Sequence, residues 1–199
     1  MNEVKVGIIG IGNMGYARLQ TVTAGNIPDM TVTAVCDINP ERLKAANAEY
    51  PDIAAFGDYT DLLKNSDTNA VIIAVPHPLH AKIAIEAFKY GKHVLVEKPL
   101  DITVSAAEDL CAAAEKSGKV FAIMFNQRTN GLFRKAREIV KCGELGEIKR
   151  SVWIITNWYR TQSYYDSSKW RATWAGEGGG VLLNQAPHNL DIWQWICGS

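Results

Sequence analysis

Apolar and polar residues along the first 125 positions predict strands and helices in alternation. Six short apolar runs have the character of buried strands, and the stretches between them have the spacing and end residues of helices. The predicted strands lie near residues 4–9, 31–36, 54–56, 70–75, 93–96 and 120–124, and the predicted helices near residues 16–24, 40–49, 59–64, 80–90 and 103–116. This alternation favours an α/β fold, a Rossmann-type doubly wound parallel sheet, over residues 1–125.

The remaining residues, 126–199, have a different pattern. A helix is predicted near residues 132–141, and residues 147–159 are rich in β-branched and aromatic side chains, which predicts one long strand. An independent sheet usually needs three or more strands. We therefore expect the start of an α+β substrate domain with an incomplete antiparallel sheet, either because the chain is truncated or because a partner subunit completes it.

The turn after the first strand has the spacing of a dinucleotide-binding loop. Its candidate cofactor-binding residues are Gly10, Gly12, Asn13, Met14 and Gly15. Glycines at this spacing permit a tight turn, close approach of the backbone to a pyrophosphate and tight helix packing, with phosphate on the helix N-terminus. The spacing alone is a weak signal, but here an apolar strand precedes it and a helical stretch follows.

Asp37 ends the second predicted strand, about twenty residues after the glycines, where a ribose-binding carboxylate is expected. A carboxylate there accepts hydrogen bonds from both ribose hydroxyls and repels a 2′-phosphate, which favours NAD, while Arg42 leaves NADP open. Asp37 could instead cap the helix that begins near Asn39 and Pro40.

Further polar residues follow the fourth and fifth strands, and ligands of open α/β sheets bind outside the carboxyl ends of strands. We expect the cofactor to contact residues of both segments, namely Val75, Pro76, His77, His80, Glu97 and Lys98. A lysine at this edge can hold or shuttle a hydroxyl proton, although Lys98 could also be an ordinary surface lysine. The two histidines could suggest a metal, but their spacing without a nearby carboxylate favours polar residues beside the cofactor.

A third motif follows the glycine run at residues 178–180. Asn184, His188, Asp191 and Trp195 are spaced to share one face of a helix, which would direct an amide, an imidazole and a carboxylate toward something polar. Pro187 would kink this helix or leave a carbonyl without its helical hydrogen bond. Alternatively, His188 is a core histidine whose ring is satisfied by Asp191.

Composition narrows the classes of partner. The 199 residues include 21 basic and 21 acidic side chains without a basic stripe, which argues against nucleic acid as a partner. No apolar run has the length of a membrane span and no signal peptide precedes the first strand, so we expect a soluble, cytoplasmic protein. The four cysteines are scattered without the paired spacing of a zinc site, so we expect neither a disulfide framework nor a metal.

The glycine turn, the Glu97-Lys98-Pro99 segment and the glycine run leading to His188 together resemble the Gfo/Idh/MocA family of sugar and cyclitol oxidoreductases, which includes inositol dehydrogenases and glucose-fructose oxidoreductase. The resemblance covers the whole chain. It implies an N-terminal NAD(P)-binding domain, here residues 1–125, and a C-terminal domain, here residues 126–199, whose open sheet serves as substrate platform and homo-oligomer surface.

The resemblance also implies roles for single residues. Lys98 would be the motif lysine beside nicotinamide and substrate, His188 the acid/base histidine, and the pair Trp170 and Arg171 resembles a segment that touches the dinucleotide in some members. Many inositol dehydrogenase-like members carry aspartate where this chain has Asn184, so Lys98 could share or take the role of base.

The resulting hypothesis is hydride transfer between a secondary hydroxyl of a sugar or cyclitol and nicotinamide. Lys98 and His188 would handle the proton, and Asn184 would hold a neighbouring hydroxyl. Three alternatives stay open: an NAD-dependent glycoside hydrolase, a nucleotide-binding module without turnover, and a redox-sensing regulator.

Overall fold

The computed structural model describes residues 3–156 and 159–198. The chain divides into two compact units, with the division in sequence between Met124 and Phe125. The first unit contains six strands: β1 Val4–Ile9, β2 Met30–Cys36, β3 Ala54–Phe56, β4 Ala70–Ile73, β5 His93–Val96 and β6 Phe121–Ile123. Its helices are α1 Asn13–Thr23, α2 Pro40–Glu49, α3 Tyr59–Asn65, α4 His80–Lys89 and α5 Val104–Ser117.

All six strands form one parallel sheet in the order β3-β2-β1-β4-β5-β6. Helices cover both faces. Buried side chains of α3, α4 and α5 pack on one face, among them Leu62, Ala84 and Leu110. Leu19 of α1 and Ala46 of α2 belong to a separate apolar cluster with β1 and β2. This arrangement confirms the predicted doubly wound Rossmann fold, because apolar strands buried on both sides need cover on both sides.

Within the described residues the second unit contains a short 3-10 turn over Asn126–Thr129 and five α-helices: α6 Gly131–Lys141, α7 Gln162–Asp166, α8 Trp174–Glu177, α9 Val181–Asn184 and α10 Pro187–Cys197. The long strand predicted over residues 147–159 is wrong for residues 147–156, which contain no strand; residues 157 and 158 lie outside the described part. A strand needs a neighbouring chain segment for its backbone hydrogen bonds, and β propensity alone does not supply one. Instead, Ser151 accepts a hydrogen bond from the indole Nε1 of Trp193 in α10 at 2.7 Å.

The helix predicted through the third motif is also interrupted. Asn184 is the last residue of α9, and His188 lies in the first turn of α10, so the two side chains do not share a continuous helical face. The break falls at Gln185 and Ala186 because Pro187 cannot donate a helical hydrogen bond and instead starts the next helix at its first position.

Candidate functional site

The parallel register places the ends of four strands next to one another. Ile9 of β1 pairs with Cys36 of β2 and with Ile73 of β4, and Ile73 pairs with Val96 of β5. The residues that follow these strands therefore share the carboxyl edge of the sheet: Gly10, Asp37, Ala74 and Glu97. The strand order reverses between β1 and β4, which is where doubly wound sheets bind ligands.

The three glycines of the turn after β1 have different requirements. Gly10 has a φ of +87°, and a Cβ added there would lie 2.6 Å from the carbonyl oxygen of Ala74. A Cβ on Gly15 would lie 1.8 Å from the carbonyl oxygen of Gly10, so α1 packs on the turn too closely for any side chain. Gly12 is open, since the nearest atom to its added Cβ is Nη1 of Arg42 at 3.7 Å.

The N-terminus of α1 adjoins this open glycine. Gly12 is the N-cap residue of α1 and has an extended backbone. Because glycine has no side chain, it makes no capping hydrogen bond. Asn13 and Met14 follow in the exposed first turn, where backbone N–H groups have no acceptor within the helix. An open glycine beside such N–H groups fits the pyrophosphate of a dinucleotide.

The Asp37 carboxylate is buried at 5 % exposure and organises the turn. It accepts hydrogen bonds from the backbone N–H of Ile11 at 2.9 Å and of Asn39 at 2.8 Å, and Nη1 of Arg42 lies 3.3 Å away. The alternative in which Asp37 caps α2 is wrong, because the N-cap is Asn39, whose own side chain accepts from Glu41. The geometry fits a carboxylate beside the adenosine ribose.

The segment after β4 begins with Val75 and Pro76, both half-buried, and continues into a short 3-10 turn over His77–Leu79. His77 is buried, and its ring centroid lies 5.8 Å from that of His80. Both ring nitrogens of His80 contact backbone carbonyl oxygens, those of Pro99 and Val75. The ring of His80 is therefore enclosed between the two loops, and its predicted contact with the cofactor stays a prediction.

The segment after β5 carries the candidate lysine. Glu97 is buried and receives two hydrogen bonds at Oε1 from Arg18 of α1, from Nε at 3.2 Å and from Nη2 at 2.8 Å. Lys98, the next residue, is half-buried. The ion pair between Glu97 and Arg18 ties the start of this loop to α1, the helix that follows the glycine turn.

In the second unit, Asn184 donates a hydrogen bond from Nδ2 to Oε1 of Glu177, and both residues are buried. An ionised carboxylate only accepts, so this contact orients the amide of Asn184 with its NH₂ toward Glu177. Both side chains line an open cavity of about 390 Å³, which is also lined by Arg160, Trp174 and Gln185. Amide, carboxylate and aromatic groups around one cavity suit a ligand with several hydroxyl groups.

His188 lies half-buried at the start of α10, with the ring of Phe125 edge-on at a centroid distance of 6.1 Å. Asp191, one turn later, accepts hydrogen bonds from Arg128, with Nε to Oδ2 at 2.9 Å. Hydrogen bonding to Asp191 raises the pKa of Arg128. This ion pair fixes α10 against the segment that precedes α6.

Trp170 and Arg171 lie in the same unit and are both half-buried. The Arg171 guanidinium stacks over the ring of Tyr164 at 4.1 Å and over that of Trp170 at 4.8 Å, and it donates to Ser167 Oγ at 3.1 Å. These contacts describe an ordered local cluster, and the predicted contact of this pair with the dinucleotide stays a prediction.

Three residues that contact the candidate site residues or their neighbours were not predicted from the sequence: Arg18, Arg128 and Glu177. Arg18 pairs with Glu97, 79 residues away along the chain, and Arg128 pairs with Asp191, 63 residues away. Local sequence spacing cannot predict pairs so far apart. Glu177 stands directly before the glycine run, and that proximity was the one available signal.

Residues 3–156 and 159–198 contain no group of three or more His, Cys, Asp or Glu side chains that could hold a metal ion. None of the helices in those ranges has the length and apolar character needed to span a membrane.

Comparison with known proteins identifies two matching family models. The first, described as "Oxidoreductase family, NAD-binding Rossmann fold", matches residues 4–125. The second, "GFO/IDH/MocA C-terminal domain", matches residues 133–199. Together they match well over half of the chain.

Individual relatives agree with these matches. The chain is 31 % identical over 192 residues to 1-carboxy-3-chloro-3,4-dihydroxycyclo hexa-1,5-diene dehydrogenase of Comamonas testosteroni, covering 95 % of this chain and 46 % of that protein. It is 34 % identical over 146 residues to inositol 2-dehydrogenase of Salmonella typhimurium, covering 72 % and 43 %. The crystal structure of the WlbA dehydrogenase from Bordetella pertussis in complex with NADH and UDP-GlcNAcA superposes with a TM-score of 0.88 at 28 % identity, covering 100 % of this chain and 58 % of that one. The chain spans about half the length of the curated relatives it matches.

Proposed function

We propose that this chain, which belongs to the GFO/IDH/MocA oxidoreductase family and carries its NAD-binding Rossmann domain, serves hydride transfer between a secondary hydroxyl of a sugar or cyclitol and nicotinamide. The observation that carries the proposal is the shared strand edge at which the glycine turn, Asp37 and Lys98 follow β1, β2 and β5. The inositol and UDP-sugar ligands named for the relatives support the substrate class.

The cofactor-binding roles follow from the fit of the first unit to a dinucleotide. The open position at Gly12 and the first turn of α1 would hold the pyrophosphate, and Asp37 would accept hydrogen bonds from the adenosine ribose. The carboxylate disfavours a 2′-phosphate, so NAD is the preferred cofactor. Bound NAD supplies the hydride acceptor of the reaction.

The proposed reaction requires one base. Oxidation of a secondary alcohol removes a hydride from carbon and a proton from oxygen, and a carbonyl group is left. We assign the proton to Lys98 in its neutral amine form or to the imidazole of His188. Asn184 is assigned to a neighbouring hydroxyl, and its neutral amide cannot stabilise an imidazolium as a carboxylate would, which favours Lys98.

Nicotinamide absorbance tests this function. The chain is incubated with NAD and a panel of cyclitols, aldoses and UDP-linked sugar acids, and Lys98→Ala is compared with Lys116→Ala, a change at an exposed lysine of α5. Reduction by the native chain and Lys116→Ala, with loss in Lys98→Ala, is the expected result. If Lys98→Ala still reduces NAD and His188→Ala does not, the base is assigned to His188 instead.

NADH binding and sugar release, measured on the same chain, separate the alternatives. Bound NADH without reduction of NAD by any compound would contradict net oxidation by this chain. Release of free sugar from glycosides would then favour an NAD-dependent hydrolase, and absence of release would favour a nucleotide-binding module.

A further inference from the structure

The first unit contains a histidine that bridges two loops of the candidate cofactor site. Nδ1 of His80 lies 2.6 Å from the carbonyl oxygen of Pro99, and Nε2 lies 2.8 Å from the carbonyl oxygen of Val75. The side chain is 1 % exposed, so solvent does not compete for either contact. One ring therefore joins the segment after β4 to the segment after β5.

The chemistry of these contacts specifies a protonation state. A carbonyl oxygen only accepts hydrogen bonds, whereas a neutral imidazole has one N–H donor and one acceptor nitrogen. Both short contacts are hydrogen bonds only if the ring carries two N–H groups, which is the imidazolium form. A neutral ring would direct a nitrogen lone pair at one of the carbonyl oxygens.

The charged surroundings of His80 act in opposite directions. Burial lowers its pKa, whereas the two carbonyl contacts and the carboxylates of Glu97 and Asp101 raise it. Glu97 is itself paired with Arg18, and the other titratable ring in contact is that of His77. The transition to the neutral ring is therefore expected on the acid side of the ordinary histidine value, because burial is the largest influence.

The bridged loops adjoin the groups that matter for the cofactor. The Val75 segment begins at Ala74, whose carbonyl oxygen lies 2.6 Å from the position of a Cβ on Gly10, and the Pro99 carbonyl immediately follows Lys98. We propose that His80 is a positioning residue for the bound dinucleotide: as an imidazolium it ties the Val75 loop to the Lys98–Pro99 loop and so fixes Lys98 relative to the glycine turn. This proposal needs only NAD binding and holds for any substrate.

Titration of NADH fluorescence from about pH 4 to about pH 8 tests the proposal, because the range must extend well below the ordinary histidine pKa. His80→Phe keeps an aromatic ring, somewhat larger than imidazole, and removes both ring nitrogens, whereas His80→Gln can reach only one of the two carbonyls. The matched control is His93→Gln at the start of β5, the opposite edge of the sheet, where the ring accepts from the N–H of Val120 at 2.9 Å. Circular dichroism establishes that each variant is folded.

The imidazolium is the binding form, so the affinity of the native chain for NADH is expected to be highest below the His80 pKa and to fall as pH rises through it. At the acid end His80→Phe is expected to bind about tenfold more weakly, the size of one lost hydrogen bond, with a flat pH profile. The affinity of His80→Gln for NADH is expected to lie between those of the native chain and His80→Phe, and His93→Gln is expected to keep the native pH profile. The proposal would be overturned by a native profile in His80→Phe, or by an affinity of the native chain that does not change across the pH range.

A measurement on the native chain alone covers the case in which the variants fail to fold. Nitrogen-15 NMR of the histidine rings in the NADH complex at the acid end is expected to show two protonated ring nitrogens for His80. A spectrum with a single protonated nitrogen would overturn the proposal.

Discussion

Replacing Gly12 with alanine is predicted to weaken NADH binding while the stability of the chain stays nearly unchanged. Gly12 has a φ of −66°, which any residue adopts, and an added Cβ would meet no atom closer than 3.7 Å. Neither the backbone nor the packing of the protein itself requires a glycine there. A pyrophosphate on the first turn of α1 would require one, because it approaches the backbone where the methyl group would stand.

The expected magnitudes follow from the position of Gly12 at the helix start. Alanine is a poorer N-cap than glycine, which lowers the free energy of unfolding by roughly 0.5–1 kcal/mol. Alanine also reduces the conformational entropy of the unfolded chain, which raises the free energy of unfolding by about 0.4–1 kcal/mol and offsets that loss. The free energy of unfolding should therefore change by less than about 1 kcal/mol. Displacing the phosphate should raise the Kd for NADH at least about tenfold, or about 1.4 kcal/mol.

Gly15→Ala provides the contrast. Its Cβ would lie 1.8 Å from the carbonyl oxygen of Gly10, so α1 must move away from the turn, and a loss of roughly 1–3 kcal/mol in unfolding free energy is expected. Urea denaturation followed by circular dichroism measures stability, and NADH fluorescence measures affinity. Native affinity in Gly12→Ala would refute the close approach of the pyrophosphate, and a stability loss as large as that of Gly15→Ala would show that the fold itself needs Gly12.

Three further predictions concern other buried groups. Asp37→Asn should lower the preference for NADH over NADPH about tenfold, because the charge that repels a 2′-phosphate is removed; an unchanged ratio of the two Kd values in parallel titrations would place the ribose elsewhere. Glu177→Ala should destabilise the second unit by about 1–3 kcal/mol, because the amide of Asn184 loses a charged acceptor, whereas Glu177→Gln should cost less; equal thermal unfolding of both variants and the native chain would contradict this. Iodoacetamide should modify exposed Cys111 well before Cys36, since burial raises the pKa of the Cys36 thiol to about 12; equal labelling by mass spectrometry would show that Cys36 is accessible.

The first unit could be predicted closely from local patterns. An apolar run followed by a glycine or proline signal reports a buried strand and its end, and β5 with Lys98 two residues beyond it follows that rule. The prediction failed over residues 147–156, where residues with high β propensity form no strand. Strand formation depends on a neighbouring strand, which is a property of the surroundings and not of the segment.

The candidate site also contains residues that could be predicted from the sequence and contacts that could not. Gly10, Gly12 and Gly15 could be assigned from their spacing, because backbone conformation and close approach are local demands on the chain. The contact of His80 with the carbonyl of Pro99 and the ion pair of Arg18 with Glu97 could not be predicted, since they join residues 19 and 79 positions apart.

The sequence by itself determined the alternation of strands and helices, the glycine turn and the strand-end positions of Asp37 and Lys98, because hydrophobic periodicity and glycine spacing act over a few residues. Only the tertiary structure decided which side chains surround those positions: the ring of His80 between two loops, Arg18 on Glu97, and Glu177 on Asn184. Hydrogen bonds form within about 3 Å, and distances of that size between distant segments are set by the packing of the whole unit.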